Sequence, residues 1–388
     1  MKSADLELRK FVAPEFVFGA DARKLAGRYA MNVGARKVLV VSDQGVMAAG
    51  WTDDIIHALE GVGTLRFSLF TSVTSNPKAD EVQEGARLFR SEGCDSIVAV
   101  GGGSPIDCAK GIGIVTATGR DIKQFEGVDK VDMVIPPLIC VPTTAGSAAD
   151  VSQFAIITDS KRRKKLAIVS KMIVPDAALI DPVTTTTMPP ELTLSTGIDA
   201  LCHAVEAFVS TAHSPITDLH ALQAISLITT NLLAVLDFPH NINFRSRMML
   251  ASLNAGLAFS NASLGLTHAM AHGLGGMFDS PHGESNALLL PSVIEFNFAE
   301  VPERYRLVGE AMGLRLHGMD DDDVRSTLSS KLKNLCGAAG SIPSLTDLGV
   351  SREDIPQLVE RAMKDPCLFT NPRRPRKRDI EALYEKAL

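Results

Sequence analysis

Two stretches concentrate side chains able to grip a cation. In STGIDALCHAVEAFVS, Asp199 and His203 stand four residues apart on a helical pattern, so their side chains share one face. In THAMAHGLGGMFDSPHG, His268 and His272 repeat that spacing, and His282 follows ten residues later after a glycine-rich bend. The chain has nine histidines in 388 residues, so three in so short a run is a cluster rather than an even scatter. A lone histidine is more often a hydrogen-bonded structural residue. These imidazoles, however, sit among small and apolar neighbours, where a polar ring without a partner is costly and a shared metal ion supplies one. One carboxylate and three of these four imidazoles would suit Fe²⁺, Zn²⁺, Co²⁺, Ni²⁺ or Mn²⁺, and no cysteine joins them as a sulfur-rich structural zinc site requires. An ion so held keeps a net positive charge and can polarise a substrate oxygen.

A different chemistry lies at the ends of apolar runs. Gly101-Gly102-Gly103-Ser104-Pro105 follows SIVAV and precedes the helical pattern IDCAKGIGIV. Ser104 is placed to cap that helix and Pro105 to sit in its first turn, so backbone N–H groups and the positive helix end face the loop, where a pyrophosphate would sit. The glycines let a ligand approach the backbone without a Cβ clash. The GxGxxG fingerprint is matched imperfectly, since Ile106 stands at its third glycine, and such a run alone can be a plain strand-to-helix turn. A second loop, PTTAGS, offers the hydroxyls of Thr143, Thr144 and Ser147 after another buried strand; two such loops favour a bound dinucleotide. Asp43, just beyond KVLVVS, can accept hydrogen bonds from an adenosine ribose and would repel a 2′-phosphate, favouring NAD over NADP; its alternative role is to form a turn. Lys165, at the end of KRRKK, is placed to reach the cofactor, while its basic neighbours make a solvated turn.

These residues need elements that hold them. KVLVVS, SIVAVGGG and LICVP are short apolar runs ending in turn residues, as buried parallel strands are, and KADEVQEGARLFRSEG between them has apolar positions at three- and four-residue spacing. QFAIIT and KLAIVS flank DSKRRK as a hairpin with a charged turn. After LIDPVTTTTMPP the texture turns to long Leu/Ala-rich helical segments. The expected architecture is therefore an α/β dinucleotide-binding domain over 1–185 and an all-helical metal-binding domain over 186–388, in keeping with a length beyond what one core fills. A net charge of −6 disfavours a dedicated nucleic-acid binder, and the basic run PRRPRKR (372–378) reads as a solvated or ion-paired surface. The first residues, MKSADLELRKF, lack a secretory apolar core, and no uninterrupted apolar run reaches membrane-spanning length; a cytoplasmic protein is expected. Six cysteines without CxxC pairing fit buried, reduced thiols.

Together GGGSP, PTTAG, GIDALCHAVEAFVS, NASLGLTHAMAHGLG and PHG make the sequence resemble the iron-containing (group III) alcohol dehydrogenase family over nearly its whole length. KFVAPEFVFGADA and ADVSQFAIIT look like a subgroup associated with regulation of bacterial ethanol oxidation. The resemblance implies an N-terminal nucleotide-binding domain, a C-terminal helical domain, an active cleft between them, and metal ligands at Asp199, His203, His268 and His282. Local spacing would put His268 and His272 on the ion together; the resemblance instead makes His272 a non-ligand beside the nicotinamide that relays protons. It also implies Fe²⁺ and NAD as cofactors, oxidation of a small primary alcohol to its aldehyde, a homodimer or larger homo-oligomer, and an apolar pocket bordered by Phe259, Cys367 and Phe369. Many members follow PTTAG with TGSE, where this chain has Ser147-Ala148-Ala149-Asp150 and keeps a hydroxyl at Ser147. Two rival expectations are a lyase or cyclase of the dehydroquinate synthase type, which would need more basic residues for an acidic phosphorylated substrate, and a regulatory protein that binds metal and NAD with little turnover.

Overall fold

A computed structural model describes residues 8–338 and 344–388. In its first half strands and helices alternate: β1 (Glu15–Phe18), α1 (Ala26–Asn32), β2 (Lys37–Asp43), α2 (Gln44–Ala48), α3 (Trp51–Glu60), β3 (Arg66–Val73), α4 (Ala79–Ser91), β4 (Ser96–Gly101), α5 (Gly103–Thr118), β5 (Gly127–Val128), β6 (Leu138–Pro142), β7 (Phe154–Asp159), β8 (Lys164–Val169) and β9 (Ala177–Ile180). The second half is helical: α6 (Pro190–Val209), α7 (Pro215–Asp237), α8 (Ile242–Ala262), α9 (Leu266–Phe278), α10 (His282–Asn297), α11 (Pro302–Ala311), α12 (Asp321–Cys336), α13 (Ile355–Ala362) and α14 (Lys377–Ala387).

Six strands form one parallel sheet in the order β1-β9-β6-β4-β2-β3. Because successive strand side chains point to opposite faces, the continuous apolar runs feed two cores at once. Leu39, Val41, Ile97, Ala99, Leu138 and Cys140 pack on one side with α4 and α5 residues such as Val82 and Ile112. Their neighbours Val38, Val40, Val98, Val100, Ile139 and Val141 pack on the other side with Ala26, Ile55 and Leu59. The expected hairpin is present as antiparallel β7 and β8, with β5 added in parallel to β8 as a separate three-stranded sheet. Buried Lys110 of α5 ties that hairpin down, donating from Nζ to the carbonyls of Ser152 at 2.8 Å and Phe154 at 2.7 Å.

The chain divides into two compact units. The α/β unit comprises Val12–Met188 together with His240–Met249, a stretch containing the start of α8 that no change of composition marks. Arg245 in that stretch is buried and donates to the carbonyl of Met188. The helical unit comprises Pro189–Pro239, Leu250–Leu388 and the segment ending at Phe11. Within it α9 lays Leu266, Met270, Leu274 and Met277 into a core shared with Leu289, Val293, Leu358, Ile380 and Tyr384. That apolar stripe leaves His268 and His272 on the opposite side of the helix, since two residues of helix turn a side chain by about 200°. Among the described residues two helices, α6 and α7, are long and apolar enough to cross a membrane by length and composition. The apolar window of α6 is 78% buried within the protein, and α6 carries Asp199, His203 and Glu206 there, as a core helix with polar work to do. All six cysteines are buried free thiols.

Candidate metal centre and dinucleotide loops

The metal cluster is assembled from three helices of one unit. Asp199, His203 and Glu206 recur at helical spacing on α6, His268 lies in the first turn of α9, and His282 is the first residue of α10. One donor atom from each of Asp199, His203, His268 and His282 lies within 4.8 Å of every other. Asp199 Oδ1 is 3.8 Å from His203 Nε2, 3.7 Å from His268 Nε2 and 3.6 Å from His282 Nε2. These separations exceed hydrogen bonds. They suit a common ion, because two donors each about 2.1 Å from a tetrahedral cation lie about 3.4 Å apart. The first three residues are buried and His282 is partly so. Burial favours a neutral Asp199, yet His203, His282 and His268 outweigh it and hold the carboxyl well below the usual range. Burial likewise opposes a charged His268, yet Glu206 and then Asp199 lift it to about 9. The arrangement thus attracts positive charge to a point ringed by imidazole nitrogens, and it fits a divalent metal.

Close packing sets the last ligand in place. A Cβ on Gly283 would lie 2.3 Å from the carbonyl oxygen of Ser195, so only glycine lets the start of α10 approach α6 this closely. Asn286, one turn further along α10, donates to Asp199 Oδ1 at 2.8 Å.

His272 lies outside the four-donor cluster, contrary to the local reading that paired it with His268 on the ion. Its Nδ1 is instead 2.8 Å from Asp365 Oδ2, and Asp365 also accepts the Cys367 N–H at 2.9 Å. The His272 ring is 5.6 Å from that of His282. Phe259 stacks on His203 with ring centroids 4.3 Å apart. Cys367 is buried beside His272 and Asp365, and burial pushes its thiol well up, which keeps it neutral. Phe369, which the resemblance sets at the pocket border, is 83% exposed.

In the α/β unit the chain steps from β2 to β3 on one side and returns to β4 on the other, which makes the carboxyl ends of β2 and β4 a switch point. Open sheets bind ligands at such points. Asp43 ends β2, Gly101 ends β4 with Gly102 to Ser104 following it, and Thr143, Thr144 and Ser147 follow the adjacent β6. Two details differ from the sequence reading. Helix α5 begins at Gly103 with Gly102 as its N-cap, because the Gly102 carbonyl already accepts the Ile106 N–H; Ser104 is therefore inside the first turn rather than capping it. The glycines also serve loop packing, since a Cβ on Gly102 would meet Thr144 at 3.0 Å and one on Gly103 would meet Ser147 at 3.0 Å. Asp43 fills the turn-forming role, its Oδ1 capping α2 through the Val46 N–H at 2.9 Å. Lys165 is buried on β8. Burial lifts Asp107, in the first turns of α5, to about 6 against the pull of Lys110, the Ile156 N–H and, more weakly, Lys165. These loops fit a dinucleotide. In the basic run, Arg376 pairs with Asp379 and Lys377 with Glu360.

Sequence reasoning missed Glu206, Asn286 and Asp365. Glu206 is seven residues after Asp199 and Asn286 four after His282, so helical periodicity could have found both. Asp365 lies 93 residues from His272, and no local pattern joins them.

A dinucleotide-type switch point in one unit and a carboxylate–imidazole cation cluster in the other equip a chain for metal-assisted nicotinamide chemistry. Comparison with known proteins narrows this. A family model described as iron-containing alcohol dehydrogenase matches residues 13–182, and one described as Fe-containing alcohol dehydrogenase family, C-terminal, matches residues 193–388. A 1,3-propanediol dehydrogenase of Klebsiella pneumoniae is 40% identical over 372 residues, 95% of this chain and 96% of that protein. An NAD-dependent methanol dehydrogenase of Bacillus methanolicus is 34% identical over 97% of this chain and 99% of its own length. A solved 1,3-propanediol oxidoreductase superposes with a TM-score of 0.94 at 38% identity, covering 98% of this chain and 100% of that one. The chain belongs to the iron-containing alcohol dehydrogenase family.

Proposed function

We infer that the chain transfers hydride reversibly between NAD(H) and a small primary alcohol or its aldehyde, with Asp199, His203, His268 and His282 holding a divalent cation. Family membership points to Fe²⁺, and the donor types also accept Zn²⁺ or another divalent ion. The observation that carries this reading is the convergence of three imidazole Nε2 atoms on Asp199 Oδ1 at 3.6–3.8 Å. When bound, the cation supplies Lewis acidity toward the substrate oxygen and the nicotinamide exchanges the hydride. The chain positions both: backbone N–H groups of Gly101, Gly102 and Gly103 with the start of α5 receive the pyrophosphate, and Ser104, Thr143, Thr144 and Ser147 offer hydroxyls. Asp43 uses one oxygen as a cap and offers the other to the ribose, and Lys165 contributes positive charge. His272 carries the alcohol proton at Nε2, because Asp365 holds its Nδ1. Phe259 and Cys367 line the substrate side as neutral walls. We further place the protein in the cytoplasm as a homodimer or larger homo-oligomer, to be checked by light scattering.

The test is anaerobic assay of metal-reconstituted protein with ethanol, butanol, propanediols and lactaldehyde, alongside His203→Ala. NADH-linked turnover is expected, with cation binding and turnover both lost in the variant. Protein that binds cation and NAD yet turns over none of the panel would overturn the dehydrogenase reading in favour of a low-turnover binding role.

A further inference from the structure

Glu206 is among the most enclosed ionisable groups of the helical unit, at 3% exposure, and nothing in the reaction touches it. Its carboxylate nevertheless collects three donors. Oε2 lies 2.6 Å from His268 Nδ1 and 3.0 Å from the Gly265 N–H, while Oε1 accepts the Thr267 N–H at 2.6 Å. Helix α9 has glycine as its N-cap and no capping side chain of its own. Glu206 takes that role from another helix, and Asn371 completes it by accepting the Leu266 N–H at 3.0 Å. Gly265 is required for this approach: a Cβ there would stand 2.9 Å from Asn371 Oδ1 and 3.0 Å from Glu206 Oε1.

We propose that Glu206 is a positioning residue for the cation, which it serves by fixing both the tautomer of His268 and the end of the helix that carries it. The inference rests on the metal assignment above. An ionised carboxylate can only accept, so the proton of a neutral His268 must sit on Nδ1, and Nε2 is left unprotonated, 3.7 Å from Asp199 Oδ1 and 3.3 Å from the Asn286 amide nitrogen that a cation would replace as its partner. The hydrogen bond also makes the imidazole a stronger donor to a metal, and the cap keeps the ring from drifting with a frayed helix end. One side chain thereby couples ligand chemistry to helix position. Glutamine would upset the first role while nearly preserving size. Its amide N–H₂ facing Nδ1 favours the other tautomer, with the proton on Nε2, where it blocks the metal.

The experiment uses the full chain loaded with Co²⁺. Affinity is measured by chelator competition, and the exchangeable imidazole N–H signals shifted by Co²⁺ are recorded by ¹H NMR, for wild type, Glu206→Gln and His203→Ala. The thermal midpoint of each metal-free protein is measured alongside. Glu206→Gln is expected to weaken Co²⁺ binding tenfold to a hundredfold, the range found for outer partners of metal-bound histidines, and to lose or shift one slowly exchanging N–H signal. Glu206→Asp, which keeps the acceptor but shortens the reach, is expected to recover part of the affinity. Unchanged affinity and an unchanged N–H spectrum in Glu206→Gln, with binding abolished in His203→Ala, would overturn this inference alone. Wild-type-like binding in His203→Ala would instead remove the metal assignment beneath it. A lowered thermal midpoint with undiminished affinity would reduce Glu206 to a helix cap and also overturn the proposal.

Discussion

Replacing Gly283 by alanine puts a methyl carbon where α6 already has backbone. The new Cβ would lie 2.3 Å from the Ser195 carbonyl oxygen, 2.3 Å from Ser195 Oγ and 2.7 Å from the Ser195 carbonyl carbon. Relief to an ordinary contact of about 3.4 Å requires the start of α10 to retreat from α6 by about 1 Å. A rotamer change of Ser195 cannot provide it, because one obstructing oxygen belongs to the main chain. His282 immediately precedes Gly283 and would move with it, yet a metal site tolerates donor displacements of only about 0.2 Å. Losing one of four donors should weaken cation binding by at least about a hundredfold, or about 2.7 kcal/mol, while the overpacking itself costs about 1–3 kcal/mol of folding stability. Chelator competition reads the first quantity and thermal unfolding of the metal-free protein the second. Adding Ser195→Ala is expected to restore little. Gly283→Ala with metal affinity within twofold of wild type would show that α10 is not held against α6 as described and that the approach does not set His282.

Asp365→Asn should cut turnover tenfold to a hundredfold and flatten its pH profile with metal affinity unchanged, because the amide allows His272 the wrong tautomer while the four ligands stay in place; an unaltered profile removes His272 as proton carrier. Asp43→Asn keeps the oxygen that caps α2 but removes the charge, so the thermal midpoint should hold while the preference for NAD over NADP falls about tenfold in steady-state kinetics. An unchanged preference would mean that Asp43 serves only as a cap. Glu295 of α10 bonds Ser329 of α12 at 2.6 Å and pairs with Lys386 of α14. Burial opposes its charge, but Lys386, Ser329 and Lys333 prevail and hold the carboxyl at about 2, below its ordinary 4.5. A depressed folded value stabilises above the unfolded one, so the advantage of wild type over Glu295→Gln should be full above about pH 4.5 and fade as pH falls toward about 2 in equilibrium unfolding. A difference that grows on acidification would reverse the sign of this linkage.

The sequence by itself determined whatever depends on period and local chemistry. Continuous apolar runs marked β2, β4 and β6 as strands buried on both faces, and the four-residue spacing of Asp199 and His203 placed two donors on one helix face. A glycine-rich turn after β4 and a hydroxyl-bearing turn after β6 pointed to a dinucleotide before their partners in space were known. Resemblance, rather than spacing, set His272 apart from the other three histidines, and the tertiary structure supplies the physical ground: donor atoms of Asp199, His203, His268 and His282 converge, while His272 lies outside that cluster beside Asp365, distant in sequence. Only the fold could show that Gly102 and Gly103 make room for Thr144 and Ser147, that Gly283 makes room for Ser195, and that Glu206 caps a helix other than its own. Periodicity reports which side of an element a residue occupies. What stands opposite that side, at hydrogen-bond or clashing distance, is set by how separate elements pack.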